Sequence, residues 1–579
     1  LKSVVAFALL AVLVLSGCAR HDAPSTVTQR FPLPEGVSST ALFTDVATKA
    51  GIRFTHTSGA TGKFYYIENT PPGCAFLDFD GDGWLDIFLV QSGPSDPFET
   101  VKNRPTCALY KNNGDGTFRE ITTGSGLDAD IGYGQGVTIG DFDNDGYPDI
   151  LVTAYDRLTL FHNEKGAGKF TDVTRKMGMD NLHGYFTSAA FGDYDNDGRL
   201  DLYVCRYGPW SWKTNIPCRE NFGLDYCSPT IYPPDYHLLL HNDGNRFRDV
   251  SQKSGILSEH GWGLAVAFVD FDGDGKQDIF VANDQASSML WRNNGDGTFT
   301  DTALSAGVGY DAAGQVMAGM GIAIGDYDRS GHPGLFVSNF SDKPNMLFRN
   351  LGGGTFEDKS YPSGLALPHM KFLAFGTEFL DYDADGWLDL LVVNGHIKVH
   401  VEKQWEGITY KQRKQLFRNE GTGRFVEVTN PEEMGDMMKP TLGRGLAIGD
   451  FDNDGRVDAL VSNQNGSPEL FHNESRNGNH WVSFLTVGTR SNREGRHARF
   501  LLTAGGVTQT DIVRAGSSYL SASDRRVYFG LNKATVIEKV EVQWPSGTKD
   551  TLTNLATDTI YTITEGAGVT GKRTPTSPH

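Results

Sequence analysis

The chain has 579 residues, too many for one hydrophobic core, and ordinary domain sizes allow about two to four bodies unless repeats merge. Its 69 glycines exceed the usual share of about 7%, as a turn-rich all-β protein requires. A formal net charge of -19, with no basic patch interleaved with aromatics, excludes nucleic acid as a partner on electrostatic grounds.

Lys2 is followed by an apolar run from Val4 to Leu15, too short to span a bilayer stably and shaped like a secretory signal. The run ends in Leu15-Ser16-Gly17-Cys18, which resembles a bacterial lipobox. The resemblance implies a signal peptide over 1–17 and lipidation of Cys18. With Ala19 next rather than Asp, it also implies an outer-membrane lipoprotein that touches the membrane through its anchor alone. Residues 18–39 are polar and Pro-bearing, and are expected to be a flexible tether.

Beyond the tether one nine-residue pattern occurs seven times, at intervals too even for chance and too uneven for a strict solenoid. The first copy carries Asp78, Asp80, Asp82 and Asp86, the second Asp141, Asp143, Asp145 and Asp149, and the third Asp193, Asp195, Asp197 and Asp201. The fourth has Asp270, Asp272, Asp274 and Asp278, the sixth Asp381, Asp383, Asp385 and Asp389, and the seventh Asp450, Asp452, Asp454 and Asp458. The fifth keeps only Asp326 and Asp328, with Ser330 and Gly334 in the other two places.

Carboxylates at positions 1, 3, 5 and 9, a backbone carbonyl at 7 and a turn glycine at 6 form an oxygen set suited to Ca²⁺; Mg²⁺ fits less well because it demands tight octahedral geometry. An EF-hand would need Glu at position 12, where this chain has Leu89, Val152, Val204, Val281, Val337, Val392 and Val461. The flanking runs, such as Ala75–Leu77 and Ile87–Val90, are strand-like, so each acidic loop should join two strands. About six Ca²⁺ sites are expected, with the fifth loop weak or empty. Six such ions would bring the charge of -19 most of the way to neutral.

Downstream of the acidic loops come strand–turn–strand segments such as Leu109–Phe118 and Leu416–Phe425; upstream lie small-residue runs such as Gly134–Ile139 and Gly443–Ile448, suited to a crowded central axis. Three or four strands per unit and seven units predict a seven-bladed β-propeller over 40–478. Leu42–Val46 looks like a blade ending without its blade, and the seventh copy lacks its ending, so the N-terminal strand should complete the last blade and remove the free edges.

These motifs resemble the FG-GAP and VCBS repeat propellers. From His480 onward, Trp481–Leu485, Arg514–Ser521, Val527–Leu531 and Val542–Gly547 resemble the ASPIC/UnbV module. The whole is similar to the cartilage acidic protein family, with Arg496-His497 departing from the usual apolar residue and Gly. Alternating apolar and polar residues over 479–566 predict a small β-sandwich-like domain with Trp481, Tyr519, Phe529 and Trp544 as core. The Thr/Pro/Lys-rich residues 567–579 are expected to be a disordered tail.

Five further cysteines remain, Cys74, Cys107, Cys205, Cys218 and Cys227, and an exported setting favours a loop-stapling disulfide, with Cys218 and Cys227 as the candidate pair. The insertions Cys205–Tyr236 and Asn394–Lys414 are the expected recognition loops. His56, His183, His260, His396 and Arg444 lie near the acidic loops, yet no Ser-His-Asp order, His-Glu-x-x-His, phosphate loop or zinc pairing is present, and no catalytic residue is assigned. The first functional reading is a cell-surface binding or adhesion module for a protein or polysaccharide. The alternative is a secreted polysaccharide-active hydrolase or lyase with its site at the propeller channel.

Overall fold

The computed structural model describes residues 42–96, 104–421 and 423–575. The signal segment, Cys18 and the tether lie outside the described residues. Seven four-stranded antiparallel sheets follow one another along the chain, each a meander whose first two strands are joined by an acidic loop. In blade 1, Cys74–Leu77 pairs with Asp86–Leu89, with Leu77 opposite Asp86 on either side of the loop. The seventh sheet takes Gly443–Gly449, Asp458–Asn463 and Glu469–Asn473 and is completed by the N-terminal strand Phe43–Asp45, in the register Phe43 opposite Asn473. The ring therefore closes with a strand from each end of the propeller, as expected.

Apolar side chains from adjacent blades form the cores between them. Ala75, Phe88 and Leu109 of blade 1 share a cluster with Val137, Ile150 and Phe161 of blade 2. The residue at position 2 of every acidic loop is Phe or Tyr, and it packs on a Phe of the neighbouring blade's outermost strand. The pairs are Phe79 on Phe170, Phe142 on Phe247, Tyr194 on Phe299, Phe271 on Phe356, Tyr327 on Phe425, Tyr382 on Phe43 and Phe451 on Phe118, with ring centroids 5.5–6.3 Å apart. Phe43 supplies for the last blade what the other blades carry in sequence.

After the propeller, two four-stranded sheets form a β-sandwich: His480–Val487 with Val527–Asn532, Thr559–Thr564 and Gly568–Arg573, and Arg499–Ala504 with Val507–Ile512, Val536–Gln543 and Lys549–Ala556. Phe529 and Trp544 sit in its core. The tail expectation is corrected in part: Gly568–Arg573 is a strand paired along Ile560–Thr564, and Arg573 donates to the carbonyls of Gly83 and Asp82 in the first acidic loop. Backbone pairing and that anchor outweigh the polar composition. Residues 576–579 lie outside the described residues.

Tyr519 is not in the sandwich core. The sandwich sends the segment Ala515–Asp524 into the propeller's centre, where it bonds to first strands around the ring. Phe268 N donates to Ala515 O, Ser518 N to Ile322 O, Val137 N to Leu520 O, Phe76 N to Ala522 O and Asp524 N to Ile448 O, at 2.6–3.0 Å. Gly73 shows how close the approach is, since a Cβ there would lie 1.9 Å from Leu520 O. Tyr519, fully buried, crosses the channel and donates from its hydroxyl to Thr70 O at 3.0 Å. There it joins Tyr65, Tyr66, Tyr185, Tyr207, Trp210 and Tyr232 in one aromatic cluster. Replacing Tyr519 by Ala is expected to cost about 3–5 kcal/mol, measured by urea titration of the full chain.

The two insertions meet at the far mouth. Cys205–Tyr236 contributes Tyr207, Trp210 and Tyr232 to that cluster and carries a hairpin, Cys218–Glu220 with Gly223–Asp225, closed by a Cys218–Cys227 disulfide. Cys74, Cys107 and Cys205 are free and buried. Lys398 of the second insertion pairs with Glu220 and donates to Tyr226 O, and Gln404 also reaches Glu220. Much of what composition marked as recognition loop is thus channel closure, although Ile216, Phe222 and Trp405 stay 44–47% exposed.

Candidate metal centres

Each acidic loop is wound around its own carboxylates. In loop 2, Gly146 N donates to Asp141 Oδ2 at 2.8 Å, Asp145 N to Asp141 Oδ1 at 3.0 Å and Tyr147 N to Asp145 Oδ1 at 3.0 Å. The position 9 carboxylate holds the loop to the sheet: Asp149 Oδ2 accepts from Phe142 N at 3.2 Å and Oδ1 from Asn163 N at 2.8 Å. Asp86, Asp201, Asp278, Asp389 and Asp458 repeat both bonds, and all six are buried.

The carboxylates converge. One oxygen from each of Asp78, Asp80 and Asp86, and likewise from Asp141, Asp143 and Asp149, lies within 4.8 Å of the others. Asp78 Oδ1 and Asp80 Oδ1 are buried without a hydrogen-bond partner among the described residues. Burial, with neighbouring carboxylates adding, pushes Asp86 and Asp141 up to about 8, Asp149, Asp193, Asp201 and Asp278 to about 7, and Asp78 to about 6. Asp381, Asp389, Asp450 and Asp458 are raised well above the ordinary carboxylate range. Groups this crowded and desolvated either take up protons or share a cation. The unpartnered acceptors of the first loop and the carboxylates at positions 1, 3, 5 and 9 of each intact loop fit a hard divalent ion, which those positions would hold.

Two groups of residues were not singled out from sequence. The Asn that closes each third strand is one: Asn112, Asn163, Asn242, Asn293, Asn350, Asn419 and Asn473 donate Nδ2–H at 2.8–3.0 Å to the position 2 carbonyl of the preceding blade's loop. The side chain just before that Asn is the other, and it faces the cage. Lys111 bonds Asp80 and Asp82, His162 lies 3.2 Å from Asp149, His241 3.0 Å from Asp201, and His472 3.0 Å from Asp452. Three clusters accordingly include a histidine: Asp143-Asp145-His162, Asp195-Asp197-His241 and Asp452-Asp454-His472. The recurring Asn-Gly turn held the signal for the first group, but turn chemistry alone does not reveal a bond to another blade.

The fifth loop is built differently. Arg349 Nε donates to Asp328 Oδ2 at 2.5 Å, and Gly334 leaves the Asn350 N–H without the carboxylate that serves it elsewhere. The fifth loop thus pairs Arg349 with a set that has lost two of its four carboxylates, whereas Lys111 in the first loop faces the full set. Asp328→Ala should leave metal stoichiometry unchanged and Asp143→Ala should lower it by one, as read by plasma mass spectrometry of dialysed protein.

The sandwich covers the cage side of the ring. Arg493 N donates to Asn144 Oδ1 at 2.7 Å, Arg499 to Gly331 O at 2.7 Å, and Arg526 to Asn453 Oδ1 and Asp450 O at 2.7 and 2.8 Å. Trp481 lies over Gly455, where a Cβ would come 1.7 Å from the indole. Arg496 and His497, which break the family's usual pattern, serve as docking contacts. Arg496 donates to Ile139 O at 2.6 Å; His497, kept neutral by burial at about 3, accepts from Asp193 N at 3.2 Å.

Of the histidines and arginine placed near the loops, His56, His396 and Arg444 come together at the opposite mouth, where burial and the guanidinium hold both imidazoles down to about 3. Arg444 is fully buried, stacked on Phe375 at 4.2 Å, and donates to Asn69 O, Gly395 O, Gly443 O and Gln464 Oε1. His183 pairs with Asp156 on the surface, and His260 packs on Tyr236, so neither joins that group.

The FG-GAP-like repeat model matches residues 78–152, 141–204, 231–281, 270–337 and 326–392, most matches running from one acidic loop to beyond the next, and the ASPIC and UnbV model matches 488–570. The chain belongs to the FG-GAP-like repeat proteins that carry a C-terminal ASPIC and UnbV module. It is similar to cartilage acidic protein 1: 26% identical to that of Homo sapiens over 441 residues, which is 72% of this chain and 60% of the human one. The Mus musculus protein is 26% identical over 502 residues, 82% of this chain and 70% of its own length. This chain therefore spans well under the full length of those relatives. Among solved structures, an Agrocybe aegerita lectin recognising non-reducing terminal N-acetylglucosamine covers 64% of this chain and 84% of its own at 18% identity, with a TM-score of 0.37, too loose a likeness to speak to ligand. Among the described residues no helix is long and apolar enough to cross a membrane.

Proposed function

We propose that the chain is an exported, lipid-anchored β-propeller whose acidic loops bind about six Ca²⁺ ions and whose modules, the propeller and the sandwich that runs on through Arg573, act as one body that captures a protein or glycan at the cell surface. The observation that supports this reading is the convergence of carboxylates at the acidic loops, with Asp78 Oδ1 and Asp80 Oδ1 of the first loop buried and without a hydrogen-bond partner among the described residues. Calcium here would be structural, stiffening loops that also clip neighbouring blades together. The enzyme alternative needs an open channel, and its weight is reduced by Tyr519 and the aromatic cluster filling that space. Calcium-loaded protein should be retained on an array of extracellular glycans and proteins and released by chelator. Polysaccharide turnover without stable capture would favour the enzyme instead.

A further inference from the structure

A cavity of about 490 Å³ lies between the first two acidic loops and the sandwich. Its size is within the roughly 300–1,000 Å³ of small-molecule sites. Its walls are rich in guanidinium groups. Two of these are already neutralised: Arg496 by Glu494 at 2.6 Å and Arg526 by Asp524 at 2.5 Å.

Five other cations line the cavity: Arg493, Arg514, Arg525, Lys572 and Arg573. Among the described residues none has a carboxylate within hydrogen-bond distance. The nearest to Arg514 is Asp511 at 3.8 Å and the nearest to Arg525 is Glu494 at 3.9 Å. Arg573 spends its donors on the Gly83 and Asp82 carbonyls, Arg525 donates to Thr486 O, and Arg514 Nε is buried without a partner. The remaining wall carboxylates, Asp78, Asp82 and Asp141, all belong to the first and second cages. Arg514 also stands in the field of the buried carboxylates of Asp511 and Glu378, and Arg525 in that of Glu494, so the lining cations with no carboxylate in ion-pair range among the described residues are Arg493, Lys572 and Arg573.

We propose that this cavity binds a small organic anion carrying two or more carboxylate or sulfate groups. The inference deepens the reading of the chain as a calcium-loaded binding module and rests on it. Guanidinium groups recognise such acids through paired, charge-assisted hydrogen bonds. Neither module holds the site alone: the propeller contributes the cage wall and the sandwich the arginines. Docking of the sandwich is therefore what creates it.

The test is isothermal titration of the full, calcium-loaded chain with succinate, with a sulfated uronate-containing disaccharide, and with lactose as the neutral control. The expected result is one-to-one binding of at least one acidic probe and none of lactose. Preference for the disaccharide identifies an acidic sugar, and equal binding of succinate a simple organic acid. Arg493→Glu combined with Lys572→Glu changes two exposed side chains, so the fold should survive. The double variant should bind about tenfold more weakly or worse with an unchanged melting temperature. Failure of both acidic probes, or full affinity in the double variant, overturns the proposal. Calcium titrated into the same metal-stripped protein without anion separates the two claims. Calcium binding without anion binding sinks only the cavity assignment; anion binding without calcium binding sinks only the calcium reading.

Discussion

Stripping the chain of divalent cations is expected to lower its melting temperature by about 10 °C or more. Two unit charges about 4 Å apart repel by about 4 kcal/mol at the effective dielectric of a protein surface, and each intact loop gathers four carboxylates. A site holding its ion at a hundredfold excess over Kd contributes about 2.7 kcal/mol, so a few such sites suffice for the predicted shift. The same crowding fixes the sign of the pH response. Without metal, the folded carboxyls of Asp86, Asp141, Asp149 and Asp201 titrate at about 7 to 8, above the ordinary value of 3.8. Between those values the folded state binds more protons than the unfolded one. Stability of the metal-free protein therefore rises as pH falls from 8 toward 5. In saturating calcium the trend should reverse, because protons compete with the ion. Scanning calorimetry at several pH values, with and without chelator, reads both slopes; parallel slopes would count against cation binding.

Asp458→Ala is the substitution with the largest expected effect at a single loop. Asp458 is fully buried, and its two oxygens accept the N–H groups of Phe451 and Asn473, at 3.1 and 2.8 Å. Removing it strands two buried donors, at about 1–3 kcal/mol each, and deletes a cage ligand. The loss should propagate across blades, since Asn473 Nδ2 also holds the Tyr382 carbonyl of blade 6 and Phe451 packs on Phe118 of blade 1. In chelator part of the cost should disappear, because the carboxylate removed there is also a source of repulsion. A cost that is the same with and without calcium would mean that Asp458 works only as a hydrogen-bond acceptor.

The repeat, the blade count and the closing strand were legible because they are local: a nine-residue acidic pattern, its spacing and a displaced Phe43 are written along the chain. The clustering of the loop carboxylates was legible for the same reason. What sequence did not reveal lies between elements far apart in the chain. Nothing in the acidic pattern marks the aromatic at position 2, yet its ring and its carbonyl both serve the next blade. Tyr519 has the hydropathy of a sandwich core residue and only its docking across some 450 residues of chain shows it to be a channel plug. Arg496 and His497 looked like a defect in a family pattern because their partners, Ile139 and Asp193, belong to another module. Gly568–Arg573 is a strand through pairing that its own composition does not announce.

The central claim is that the acidic loops hold divalent cations. Counting calcium by plasma mass spectrometry in exhaustively dialysed, folded protein tests it most directly. The account predicts about six ions per chain, with the fifth loop contributing none. Fewer than three tightly held ions in correctly folded material would contradict it.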